Sequence, residues 1–139
     1  MTIIGSQIEE INAIRKNLGS TTINIKSNVE IDSIKRKKAV IFKDKKEDIL
    51  EFIFKFNINY NEASSISITG TIFYTAGKKT LDNIEGQWKK KKKIDTKSVL
   101  PVLNHAMELG YKNAFSISEK LRLPTPIKLP RFVEKAKNE

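Results

Sequence analysis

Between Ile49 and Ala76 the chain alternates between apolar and mostly polar side chains. Leu50, Phe52, Phe54, Phe56, Ile58 and Tyr60 are interleaved with Glu51, Ile53, Lys55, Asn57 and Asn59. After Asn61-Glu62-Ala63-Ser64 the alternation resumes, with Ile66, Ile68, Ile72 and Tyr74 set against Ser65, Ser67, Thr69, Thr71 and Thr75. A period of two puts every second side chain on one face of a sheet. The short polar connection makes the two runs an antiparallel hairpin. Each large apolar side chain contributes about 1.5–3 kcal/mol when fully buried, but an isolated hairpin is marginal in water and needs a cover. Ser98 to Leu121 is the natural cover: Val99, Leu100, Val102, Leu103, Ala106, Met107, Tyr111, Ala114, Phe115, Ile117 and Leu121 form a broad apolar stripe. Pro101 fits the first turn if Ser98 caps the helix, and Gly110 is expected to divide the stretch into two helices.

Ser6, Glu9 and the spacing of Ile8, Ile11, Ile14 and Leu18 predict a short helix over residues 6–18, stopped by Gly19. Ile23, Ile25, Val29 and Ile31 alternate with polar residues as a half-buried strand, and Ile34 breaks the phase, which places a bulge or bend near Ser33. Lys35-Arg36-Lys37-Lys38 reads as a basic turn, Ala39 to Phe42 as a short strand, and Lys43 to Asp48 as a charged loop. Leu81, Ile84 and Trp88 predict a short amphipathic helix from about residue 80, followed by the lysine run Lys89 to Lys93. Prolines 124, 126 and 130 hold residues 123–132 as an extended arm, with a polar tail beyond Glu134. The expected fold is a single α+β domain over residues 1–139. It has an antiparallel sheet of three or four strands over residues 21–76, with a helical region over residues 80–121 packed on one face.

Composition narrows the function classes. Hydrophobic residues at 39% with charged residues at 30% belong to a folded soluble chain, not a disordered one. No apolar run approaches the roughly 18–20 residues of a membrane span, and the first residues lack a signal-peptide pattern. The absence of cysteine removes disulfides and thiolate metal sites, and a cytoplasmic location is expected. The formal net charge is +10. Residues 1–60 contribute +3 and residues 61–139 contribute +7, a surplus that attracts acidic partners.

Catalytic chemistry is not expected. His105 is the only histidine, so a transition-metal site would have to be completed by carboxylates. Gly70, Gly77 and Gly86 form no phosphate-cradling loop, no nucleophile elbow is present, and the acidic pairs lie among lysines in charged segments. No cofactor is expected either. Two binding classes remain. A nucleic-acid or ribosome partner would use the basic clusters, Lys35, Arg36, Lys37 and Lys38 together with Lys89, Lys90, Lys91, Lys92 and Lys93. Such a protein would ordinarily add stacking aromatics, and the polar side of the hairpin offers only Phe73. A binder of unfolded or extended polypeptide needs apolar grooves, a sheet edge and surface for self-association, and here Ile53 and Phe73 stand out on that polar side. An adaptor of undefined role is the third option.

The order of elements resembles the SecB export-chaperone family. The likeness lies in an antiparallel meander, a helix with proline in its first turn (Val99-Leu100-Pro101), then Leu123-Pro124 and Ile127-Lys128-Leu129-Pro130-Arg131-Phe132. The resemblance implies a sheet-plus-helix protomer that forms a homo-oligomer and holds non-native chains without nucleotide. It makes Ile53, Phe73, Ile127 and Phe132 the candidate polypeptide groove.

Overall fold

A computed structural model of the chain describes residues 2–16, 23–42, 44–61, 64–91, 94 and 96–124. Strands β1 (Thr2–Ile14), β2 (Ile25–Phe42), β3 (Lys45–Tyr60) and β4 (Ser64–Thr75) precede helix α1 (Lys78–Lys91), a 3-10 turn over Thr96–Val99 and helix α2 (Leu100–Leu121). The four strands form one antiparallel sheet in the order β1-β4-β3-β2. The fold is α+β, with both helices on one face of the sheet.

The hairpin of β3 and β4 is the centre of the sheet, as its alternation predicts. Leu50, Phe52, Phe54, Phe56, Ile58 and Tyr60 are fully buried, and Ile66, Ile68 and Ile72 with them. They share one core with Leu81 and Ile84 of α1 and with Val102, Ala106, Met107, Tyr111 and Ala114 of α2. Hydrogen bonds join the layers at their margins: the Ser27 and Tyr111 hydroxyls pair, and His105 Nε2 lies 3.0 Å from Ser6 Oγ.

Several expectations need correction. Residues 6–14 are strand, not helix: β1 pairs along β4 from Thr2↔Thr75 to Ile14↔Ser65. Gln7 and Thr71 thus lie side by side, and both donate to Glu9 Oε1. Lys35 to Lys38 is no turn, because β2 runs unbroken from Ile25 to Phe42. The expected phase break is present, as a register shift between Ile31 and Ser33. Lys45 to Asp48 extends β3 rather than forming a loop, and the reversal narrows to the region of Asp44, whose φ is 63°. Gly110 does not divide α2. Val99 is its N-cap in place of Ser98, no side chain bonds the free amides, and Pro101 occupies the first turn. Arg122 closes the helix in the left-handed region, and the amides of Arg122 and Leu123 donate to Glu119 and Ser118. Leu123 is buried in the core; the rest of the expected arm, residues 125–132, lies outside the described residues.

Gly110 stays in the helix because the sheet leaves no room for a side chain there. A Cβ on Gly110 would fall 2.4 Å from Phe56 Cγ, so the ring lies directly on the helix backbone. Phe56 also meets Tyr111 at a centroid distance of 5.0 Å, with the rings steeply inclined. The Gly110→Ala protein should therefore lose about 1–3 kcal/mol, the usual effect of forcing extra volume into a packed core, despite the better helix propensity of alanine. A urea-denaturation midpoint lower than the parent's, with an unchanged slope, checks this.

Tyr74 is buried edge-on against Phe52, and its hydroxyl is without a hydrogen-bond partner among the described residues. Burial raises its pKa above the usual 10.0. A tyrosine whose folded pKa is raised favours the folded state up to its unfolded pKa, and that contribution is lost as pH rises through the folded value. Tyr74→Phe should leave stability at neutral pH unchanged or higher by up to about 1 kcal/mol. It should also make the loss of stability above about pH 10 shallower, as read by denaturant titration across pH 9–11.

Candidate functional site

The helices cover one face of the sheet; among the described residues no helix packs on the other. That second face, uncovered by any described helix, is built from odd-numbered residues of β3 and β4, as the hairpin alternation requires. Cross-strand pairing sets the rows. Gln7, Thr71, Ile53 and Ser33 lie across the four strands in one, and Gly5, Phe73, Glu51 and Lys35 in the next. Ile53 and Phe73 are therefore diagonal neighbours, about 7–8 Å apart at their backbones, and both are half-buried. Ile49 adds a third apolar side chain. It lies across from Lys37 on that side of the sheet and outside the main core, but at 4% exposure it is closed to a partner and serves as packing beneath the face.

Polar groups frame this apolar strip. Lys37 Nζ lies 3.3 Å from Glu51 Oε2, and the Glu51 side chain is largely covered. On the β1 side, Glu9 accepts from Gln7 Nε2 at 2.6 Å and from Thr71 Oγ1 at 3.1 Å. Towards the other end of the sheet the face becomes mostly polar: Asn12, Ser67, Asn57 and Asn28 form a row in which Ser67 donates to Asn57 Oδ1, and beyond it the exposed Ile14 lies opposite Ser65. A few large apolar side chains between fixed hydrogen-bonding groups suit an extended chain, which presents alternate side chains and continuous backbone amides.

The basic residues are distributed differently from their order in sequence. Lys35 and Lys37 point to the uncovered face, whereas Arg36 points under the helices. Arg36 Nη2 lies 2.9 Å from Asp48 Oδ2, and Nη1 bonds Asp82 and lies 3.4 Å from Glu85 Oε1. The hydrogen bonds to Asp82 and then Asp48 hold the guanidinium pKa above its ordinary value. Arg36 is thus the clamp between β2, β3 and α1, and its donors are turned to carboxylates of this chain. Lys38 stands across from Asp48 at the end of the sheet. Lys89, Lys90 and Lys91 form the last turn of α1. Lys92, Lys93, Ile127 and Phe132 lie outside the described residues.

The structure therefore brings Ile53 and Phe73 together and divides the basic run. Gln7 and Glu9 lie outside the expected site, because a helix over residues 6–18 would take them out of the sheet. His105 sits between α2 and β1 against Ser6. Among the described residues no three acidic or histidine side chains cluster in a way that could hold a metal ion. No helix among them is long and apolar enough to cross a membrane.

No family model matches the chain, and no curated protein does. Among solved structures, the chain is similar to a SecB-like chaperone of Mycobacterium tuberculosis determined in complex with a ChAD peptide from an antitoxin. That alignment covers 94% of this chain and 93% of the other, at 9% identity and a TM-score of 0.31. At that similarity the neighbour assigns no residue here.

Proposed function

We propose that the protein binds extended or non-native polypeptide on the uncovered face of its sheet, without nucleotide, in a chaperone-like role. The observation that carries this reading is the diagonal pair of Ile53 and Phe73 on a face that no described helix covers. Apolar groups held there by the register of two central strands need no rearrangement to receive a client, which limits the ordering cost of binding. The flanking Lys37–Glu51 pair and the Gln7–Glu9–Thr71 group offer hydrogen bonds to a client's backbone. Self-association of the protomer belongs to the same reading. It multiplies weak, shallow contacts into useful affinity.

The reading is tested by suppression of aggregation of a chemically unfolded client at moderate salt, where purely ionic attraction is screened. The parent protein should suppress aggregation, and Phe73→Ser and Ile53→Ser should each weaken client binding roughly tenfold. That figure follows from losing one large apolar contact. Circular dichroism confirms that both variants keep the fold. Variants as effective as the parent would remove the uncovered face from the function. A monomer at micromolar concentration in sedimentation would remove the self-association.

A further inference from the structure

Helix α1 carries five lysines, Lys78, Lys79, Lys89, Lys90 and Lys91, and two acids, Asp82 and Glu85. Arg36 engages both acids from the sheet side. Lys89 reaches Glu85 at 3.8 Å, while Lys78, Lys79, Lys90 and Lys91 have no ion-pair partner among the described residues. The first turn of α1 contains no acid, so Lys78 and Lys79 stand at the positive end of the helix dipole, where cations are disfavoured. An anionic partner relieves that repulsion.

Two hollows lie along the same surface. One, of 470 Å³, is lined by Lys79, Thr80, Asn83, Lys97 and Ser98 among others. The other, of 370 Å³, is lined by Asp82, Asn83, Gly86, Lys90 and Lys91 among others. Asn83 borders both, so they adjoin as a shallow surface groove, with Lys79 and Lys97 in one part and Lys90 and Lys91 in the other. Asp82 is the acid in it, and its carboxylate is held by Arg36. At 1.5 Å per residue the distance along α1 from Lys79 to Lys90 is about 16 Å. Duplex DNA carries one phosphate per about 1.7 Å of its axis, both strands counted, so a stretch of this length presents several phosphates to the lysines at its two ends.

We infer that the α1 groove binds the sugar-phosphate backbone of a nucleic-acid duplex independently of sequence. Trp88, the aromatic side chain of α1, packs against the core, which leaves the groove without a stacking platform for bases. The exposed positions of α1 are charged, polar or glycine, which gives a lipid surface nothing apolar to take up. The groove lies on the opposite side of the sheet from Phe73, so this activity is independent of polypeptide binding.

The test is fluorescence anisotropy with a labelled mixed-sequence DNA duplex, titrated between roughly 50 and 200 mM salt. Binding should weaken with salt with a log–log slope of about −3 to −4, the value for four neutralised phosphates. The triple variant K79Q/K90Q/K91Q should bind at least about tenfold more weakly at the low-salt end, with a slope shallower by nearly 3. The triple variant K26Q/K55Q/K120Q removes the same charge elsewhere and should stay within about twofold of the parent, since phosphate contacts are local. Equal losses in the two triple variants would overturn the inference, because net charge alone would then explain binding. So would the absence of duplex binding at low salt, or binding to phosphatidylserine vesicles without binding to the duplex.

Discussion

The contact of Phe56 with the bare backbone of Gly110 sets the distance between the helix layer and the sheet. Everything on the helical side follows from that approach. With α2 seated this close, Tyr111 reaches the ring of Phe56 and the hydroxyl of Ser27, and Ala106 and Ala114 fit where larger residues would hold the layers apart. A helix so placed satisfies one face of the central hairpin completely. The other face is left to polar side chains and a few apolar ones, and the asymmetry gives the molecule its candidate surface.

The central hairpin, both helices and the placement of the core were legible in the sequence because they obey simple periods. The apolar half of the period in β3 and β4 is interrupted only at Gly70, where the Phe54 ring and the Gln7 carbonyl occupy the space a side chain would need. β1 was not legible, and the reason is geometric. Its register shifts between Ile3 and Gly5 and again between Ile8 and Glu10, each consistent with a bulge. An extra residue turns a local spacing of two into three, so Ile8 and Ile11 fall on the same sheet face, opposite Gly70 and Ile68. A bulged strand thereby imitates the i, i+3 spacing of a helix, and the capping pattern of Ser6 and Glu9 completes the imitation. The same irregularity in β2 was readable, because the alternation before Ile31 was long enough to expose the break at Ile34.

The site was partly legible for a related reason. Ile53 and Phe73 violate the polar half of a strong alternation, so they stand out without any structure. The basic residues do not. A run such as Lys35 to Lys38 has no periodicity of its own, and an edge strand accepts it because unpaired edges favour lysine. Only pairing with β3 shows that its members face opposite ways. Likewise, the lysines of α1 acquire a meaning once Arg36 is seen to engage the acids between them.

The shift in β2 has a further consequence for the parity of that run. With unbroken alternation after Ile31, positions 33, 35 and 37 would lie beneath the helices and 36 would point outward. Two ammonium groups would then be pressed under α1, and no guanidinium would meet Asp82 and Glu85. One additional residue near Asp32 inverts that arrangement. It sends a single forked cation inward to fasten the helix and turns its two neighbours out, so an insertion in an edge strand decides which charge is structural and which is surface.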